Sequence, residues 1–494
     1  MVKARAKFVC QQCGAIFPKW TGRCENCGAW NSLLEQAPMA EGKSVVARST
    51  GQSLKPEKIG AVKTDTVANR MSAGIADLDA VLGGGLMPGG VVLVAGQPGI
   101  GKSTLLLQLA ATIAEGKEVL YVSGEESASQ VKLRAERLLN NCHPEFISGS
   151  SSSRHSGLDP ESSKNNNVDS EHPAQNLNED SSRGFQNDKL FLSSSTSSDD
   201  VAATILDGKF QLVIVDSMQT MAMAEIASAP GTVSQITNSA NIIIRAAKAT
   251  NTAVLLVGHV TKEGLIAGPK VLEHIVDVVL NFEGDRYGGF KLVRAIKNRY
   301  GSTTEVAIFD MTEKGLEIVK NPSAALLAER RDEDGSVVLA TMEGARPLLV
   351  EIQALVNTTS FGYPKRTASG FDLNRLNLLI AVLERRTKLK LADKDIFINV
   401  VGGLKLSDPA ADLAVCMSIA SAAAQRKFKT GAVVFGEVGL GGEIRSASSA
   451  DKRIAEAKKL GFKYAIAPKT AAKFGEKFVV SAEDLRDALN QHLK

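Results

Sequence analysis

The sequence predicts an α/β protein with a mostly parallel sheet at its centre and a smaller domain on either side. Three observations predict it. The glycine-rich loop Gly96-Gln97-Pro98-Gly99-Ile100-Gly101-Lys102-Ser103-Thr104 joins the apolar run Val91–Ala95 to the helix-forming run Leu105–Ala111. Further apolar runs alternate with helical stretches up to about residue 320, the pattern of parallel strands crossed over by helices. Two pairs of cysteines stand apart from this alternation, close to the N-terminus.

The loop fits G-x-x-x-x-G-K-[ST] in the strand–loop–helix setting that the motif needs. Its glycines let backbone N–H groups close around phosphate oxygens, and the helix N-terminus adds partial positive charge. Lys102 is then placed to reach the β- and γ-phosphates of ATP, and Ser103 to hold Mg²⁺. A glycine turn before a core helix would leave the adjacent Lys-Ser unexplained. Glu118–Ser123 reads as a second strand, ending in Gly124-Glu125-Glu126 at the strand end where ligands of such sheets gather. Leu212–Val215 ends in Asp216, the Walker B form, which holds Mg²⁺ through water. A helix over 233–249 leads to the strand Ala253–His259. That strand brings His259 to the same edge, where it either senses the γ-phosphate or makes a local hydrogen bond. Leu292–Ile296 closes in Lys297-Asn298-Arg299-Tyr300-Gly301. Positions 297 and 299 project from one face of an extended chain. Such a pair suits phosphate, of a neighbouring subunit's nucleotide or of DNA, or is simply a solvated basic strand end.

Cys10-Gln11-Gln12-Cys13 and Cys24-Glu25-Asn26-Cys27 are two C-x₂-C knuckles, each followed by glycine. Four thiolates at this spacing close a tetrahedral Zn²⁺ shell, and a segment this small needs the metal to fold. With no open ligand position, zinc catalysis is not expected. Lys19, Trp20, Arg23 and Trp30 surround the site, either as a face that stacks on single-stranded bases or as the packing of a tiny core. The expected organisation is a zinc finger over 1–34, a linker over 35–70, an ATPase domain over 71–320 and a second α/β domain over 325–494. Residues 141–190 are nearly devoid of apolar side chains and read as a disordered insertion in a surface loop. With 58 basic and 54 acidic residues the chain is no polyelectrolyte, so nucleic-acid affinity must come from local patches. The basic N-terminus lacks an apolar h-region and no 18-residue apolar run follows, so a cytoplasmic protein without membrane spans is expected.

Together, the four-cysteine finger, Gly96–Thr104, the Asp216 strand and Lys297–Gly301 resemble the RadA (Sms) family of bacterial DNA-repair ATPases, which are RecA-like. The resemblance covers nearly the whole chain and is interrupted by the 141–190 insertion. It implies a RecA-type core in a homo-hexameric motor that binds single-stranded and branched DNA. Such a motor would drive branch migration beside a RecA-type recombinase. By the same analogy Glu125 is the base that activates water, with Glu126 its rival, and Lys297 and Arg299 couple ATP to DNA or act across a subunit boundary.

From about residue 325, Asp372–Arg386 carries a helical apolar stripe accompanied by Arg375, Arg385, Arg386, Lys388 and Lys390, and Asp395–Val401 reads as a strand. Those cations are either a solvated face or part of a DNA-facing surface. Asp408-Pro409-Ala410-Ala411-Asp412 then opens a small-residue helix. This domain resembles the proteolytic domain of Lon proteases, so an ATP-dependent protease relative is one alternative function. Alanine at 410 occupies the nucleophile position, however, and the lysine position falls on Asp451 or its neighbour Lys452, which implies a non-proteolytic domain. A signalling ATPase of RecA fold, directed at protein partners, is the other alternative.

Overall fold

The computed structural model describes residues 7–10, 15–28, 30, 33–36, 69–139, 188–259, 271–284, 289–360 and 362–493. Cys13, most of the 35–70 linker and residues 141–187 of the expected insertion lie outside the described residues. The chain forms two compact units, Met1–Lys63 and Thr64–Lys494. No helix among the described residues is long and apolar enough to cross a membrane.

In the first unit, β1 (Lys7–Cys10) lies between β2 (Ile16–Phe17) and β3 (Leu33–Gln36), antiparallel to both. Its described core is Cys24 and Leu33, with Phe8 and Phe17 packed against them. A cluster of this size buries too little apolar surface to offset the entropy of ordering its own segment.

The second unit holds two sheets. The first comprises β4 (Val91–Gly96), β5 (Val119–Ser123), β6 (Leu190–Ser194), β7 (Leu212–Asp216), β8 (Ala253–His259), β9 (Val278–Glu283), β10 (Lys291–Asn298), β11 (Val306–Thr312) and β12 (Gly315–Ile318). Their order is β12-β11-β10-β9-β4-β8-β7-β5-β6. From β9 to β6 every pairing is parallel; β10 to β12 complete one side as an antiparallel meander. β4 is buried at all six positions, as a central parallel strand covered on both faces should be. Val92 and Val94 pack into one core with Leu106 and Leu109 of the helix Lys102–Ala114. Val91 and Leu93 pack into another with Ile243 of the helix Val233–Thr250. Strand alternation thus divides β4 between two helical layers. One boundary differs from expectation: Leu190, placed at the end of the insertion, is already paired with Val119. A single apolar residue at the end of a polar run gives no periodic signal.

The second sheet comprises β13 (Ser336–Glu343), β14 (Arg346–Thr358), β15 (Arg366–Ser369), β16 (Lys394–Val400), β17 (Ala432–Val434), β20 (Tyr464–Ala467) and β21 (Val479–Ser481), beside a small β18 (Glu437–Val438) and β19 (Ile444–Arg445) pair. The order is β15-β16-β14-β13-β17-β20-β21. The helix Leu373–Arg386 starts at Asp372, whose carboxylate accepts from the Arg375 N–H at 2.7 Å, and it buries Leu376, Leu379, Ile380 and Leu383. The helix Asp412–Ala424 is buried from Asp412 to Ala422, and its Ala and Ser residues allow it to be enclosed on all sides.

The sheets are joined by ion pairs and backbone bonds. Arg346 on β14 meets Asp77 at 2.8 Å; Arg294 on β10 pairs with Glu283 and lies 3.4 Å from Glu343 of β13. Burial pushes the Glu343 carboxyl up, against the pull of Arg294.

Arg453, on the helix Ala450–Lys459, has no exposed surface. It meets Asp408 at 2.7 Å and donates to the carbonyls of Ser448 and Ala340 at 2.9 and 2.6 Å. Truncating one partner of such a pair strands the other charge. Arg453→Ala is therefore expected to destabilise the chain by about 3–5 kcal/mol in denaturant unfolding. A loss under about 1 kcal/mol, the worth of an exposed pair, would show that Asp408 needs no counter-charge.

Candidate nucleotide site

Four parallel strands end on one edge of the nine-stranded sheet, and each brings polar groups there. β4 runs into the glycine loop, β5 leads to Glu125 and Glu126, β7 ends on Asp216 and β8 on His259. Strand register makes this a single site, since Gly96 lies opposite His259 and Ser123 opposite Asp216.

The loop has the geometry of a phosphate cradle. Gly101 has φ 111°, and a Cβ there would stand 2.8 Å from Met311 Cε, so neither backbone nor space admits a side chain. At Gly99 a Cβ would meet nothing within 4 Å; the cradle is open on that side. The helix Lys102–Ala114 begins without a side-chain cap, leaving its first N–H groups to whatever the loop holds. Ser103 and Thr104 are partly exposed at its start. Lys102 is 4% exposed, and its ammonium donates to the carbonyls of Gly96 at 2.8 Å and Gln97 at 2.9 Å. His259 Nδ1 lies 3.3 Å from the same ammonium. Burial lowers the Lys102 pKa to about 8, against the attraction of Asp216 and Glu125. A buried cation held by carbonyls, beside a helix N-terminus without a side-chain cap, fits a polyphosphate.

The two glutamates diverge. Glu125 Oε1 accepts from the Ser217 hydroxyl at 2.6 Å and lies 3.5 Å from His259 Nε2. Glu126 instead pairs with Arg134 at 2.9 Å, and its N–H donates to Ser123 Oγ at 2.9 Å. His259 therefore bridges Glu125 and Lys102. Asp216 accepts from the Tyr121 hydroxyl at 2.6 Å. Sequence reasoning missed Tyr121 and Ser217. The available signal for Tyr121 was a polar tip within the otherwise apolar run Val119–Val122.

Lys297-Asn298-Arg299-Tyr300-Gly301 lies at the other edge. β10 runs antiparallel to β9, so Asn298 pairs with Val278, which pairs with Val92 near the start of β4. Gly96 is four residues further along, roughly 13 Å away at the rise of a strand. Lys297 and Arg299 are not a bare pair of cations. The Lys297 ammonium donates to the carbonyls of Glu273, His274 and Val276 at 2.6, 3.1 and 2.8 Å, and Arg299 meets Asp277 at 3.2 Å. Asp277 also accepts from the Val91 N–H at 3.1 Å and pairs with Lys248 at 3.0 Å. Burial pushes its carboxyl up, but these donors outweigh burial and leave it low. Burial, with Asp277 nearby, pushes the Tyr300 hydroxyl up to about 12. Asn298 donates to the Val81 carbonyl at 3.1 Å, and a Cβ on Gly301 would stand 2.6 Å from Gly83 Cα. Gly301 is thus required by the close passage of the Gly83–Gly85 turn.

In the first unit, Cys10 ends β1 and Cys24 is buried; the Gly28 N–H donates to the Cys24 carbonyl at 2.8 Å, with Gly28 at φ 74°. This tight turn encloses the second C-x₂-C pair, whose spacing is that of zinc-ligand knuckles. Cys27 is exposed on the same turn. The tryptophans do not form the small core: Trp20 is 55% and Trp30 73% exposed, with the Arg23 guanidinium 5.9 Å from the Trp30 ring.

Three family models match the chain. An AAA domain matches residues 56–264, a rubredoxin metal binding domain residues 8–35, and subunit ChlI of Mg-chelatase residues 375–471. A DNA repair protein RadA of Halalkalibacterium halodurans is 43% identical, over 95% of this chain and 93% of that one. The chain belongs to the RadA family. RadA proteins of Pseudomonas aeruginosa and Bacillus subtilis are each 42% identical over 95% of this chain, covering 94% and 93% of theirs. The architecture is that of a RecA-type P-loop core between a zinc ribbon and a Lon-like α/β domain.

In the Lon-like domain of this RadA-family chain, Ala410 is buried and offers only a methyl group. Asp451 and Lys452 are exposed, and Lys452 donates to the Ala345 carbonyl at 3.2 Å. The α-helical side chain that faces Asp408 is Arg453, which belongs to the ion pair described above. Arg375 differs from expectation: its guanidinium forks onto the buried Asp412, with Nε to Oδ1 at 3.0 Å and Nη2 to Oδ2. Periodicity put it among the surface cations because its partner lies 37 residues away. Arg385, Arg386, Lys388 and Lys390 are exposed.

Proposed function

We propose that the chain is a DNA-dependent ATPase of recombinational repair, acting in the cytoplasm on single-stranded and branched DNA to drive branch migration. The observation that carries this reading is the convergence of Lys102, Asp216, Glu125 and His259 on one sheet edge behind a phosphate cradle. The names of its RadA relatives supply the setting of DNA repair.

On this reading the N–H groups of Gly96–Thr104 hold the ATP phosphates. The Lys102 ammonium exchanges its carbonyl partners for the β- and γ-oxygens. Ser103 and Asp216 would hold Mg²⁺, which when bound neutralises charge on those oxygens. Glu125, oriented by Ser217, accepts the proton of the attacking water. Its separation from Glu126, which is held by Arg134, supports Glu125 as the base. His259 touches both Glu125 and Lys102 and is suited to sense the γ-phosphate between them.

Lys297 and Arg299 lie too far from the glycine loop of their own chain to serve its nucleotide. That favours a role across a subunit boundary, as a homo-hexamer would provide. Cys10, Cys13, Cys24 and Cys27 would hold Zn²⁺ as a structural site. The exposed Trp20 and Trp30, with Arg23, suit base stacking or a RecA-type recombinase partner.

Steady-state ATP hydrolysis by the full chain, with and without single-stranded DNA, tests this. Stimulation by DNA that weakens with salt is expected. Hydrolysis indifferent to DNA at every salt concentration would replace the reading with a protein-directed ATPase. Degradation of casein would revive the protease alternative.

A further inference from the structure

We propose that Tyr121 is a positioning residue for the metal-holding carboxylate, fixing Asp216 in the orientation that receives Mg²⁺·ATP. This rests on the ATPase reading above and adds a residue that reading does not use. Tyr121 is the third residue of β5, and β5 and β7 run side by side in parallel, with Tyr121 opposite Ile214 and Ser123 opposite Asp216. The ring is 1% exposed and belongs to the core that includes Leu105, Leu109 and Ile214. Packed there, it has no room to turn, and its hydroxyl is delivered to Asp216 Oδ2 at 2.6 Å.

The hydroxyl is the donor in this contact, because the carboxylate oxygen that it meets is an acceptor. A buried phenol that donates to a carboxylate at the strand end acts on the orientation of that carboxylate. Asp216 is the last residue of β7 and is only partly buried, so its side chain is packed less firmly than those before it. A hydrogen bond from a rigid phenol removes that freedom. It leaves Oδ1, and the remaining lone pair of Oδ2, to accept from a water through which Asp216 would hold a cation. A phenylalanine would fill the same core volume without supplying this constraint. The contact is charge-assisted, the stronger class of hydrogen bond.

The test is Tyr121→Phe in the full-length chain, with AMP-PNP binding measured by calorimetry in EDTA and across a MgCl₂ titration. The Mg²⁺ concentration for half-maximal binding is expected to rise about tenfold, the worth of one hydrogen bond to a charged group. Affinity in EDTA should stay within about twofold of wild type, since no metal is then held. An unchanged Mg²⁺ midpoint would overturn the proposal. So would an equal weakening with and without Mg²⁺, or failure to fold, because either would make the hydroxyl a general packing group. The ATPase reading fails separately, if wild-type chain neither binds AMP-PNP nor hydrolyses ATP.

Discussion

Lys102→Ala is expected to lower kcat/KM for ATP by at least about 100-fold while leaving the fold intact. The lysine is buried, its ammonium donates to two carbonyls beside a histidine, and burial has drawn its pKa down to about 8 despite the attraction of Asp216 and Glu125. Removing it from the free chain takes away a desolvated cation, so the melting temperature should not fall. Removing it from the complex takes away a buried cation at the glycine loop. A loss under tenfold would dismiss Lys102 from phosphoryl transfer. The same pKa predicts a proton linkage with a definite sign. Phosphates favour the charged ammonium and raise its pKa in the complex. Above pH 8, ATP binding should therefore take up a proton, and affinity should decline as pH rises through the free-chain value of about 8. Calorimetry at about pH 8.5, in two buffers of different ionisation enthalpy, reads that uptake directly. At lower pH the lysine is charged in both states and the uptake should vanish.

Glu125→Gln should reduce kcat by about 100-fold or more, the usual weight of a general base, with ATP affinity changed only a few-fold. Glutamine keeps the shape and still accepts from Ser217, but it cannot take a proton. Glu126→Gln should leave kcat within a few-fold, because that carboxylate is held by Arg134 at 2.9 Å and faces away from the Ser217–His259 group. Single-turnover hydrolysis separates the two variants. A larger effect at Glu126 than at Glu125 would reverse the assignment. The two residues are adjacent in the bend after β5, and their carboxylates go to different partners, Glu125 to Ser217 and His259 and Glu126 to Arg134.

The sequence alone determined the class of fold and the place of the glycine loop between a strand and a helix. It could do so because these depend on short-range patterns. Val91–Ala95, Leu212–Asp216 and Ala253–His259 are apolar runs of strand length, and the structure forms strands there at Val91–Gly96, Leu212–Asp216 and Ala253–His259. A glycine loop needs only its own residues and the two elements beside it, and the family followed from several such motifs occurring in one chain.

Other features were decided by tertiary structure, since they depend on partners far apart in sequence. Glu125 and Glu126 are equivalent as text. They differ because β7 brings Ser217 and β8 brings His259 to one of them, from 92 and 134 residues away in the numbering of the chain. Lys297 and Arg299 read as a bare cationic pair until the 273–277 segment supplies the carbonyls and the Asp277 carboxylate that engage them. Arg375 counted as a surface charge until Asp412 was folded beneath it. Tyr121 gave no sign that its hydroxyl meets Asp216, because parallel pairing of β5 and β7 alone makes them neighbours. Local periodicity records which face of an element is buried; the choice of partner on that face is a property of the assembled sheets.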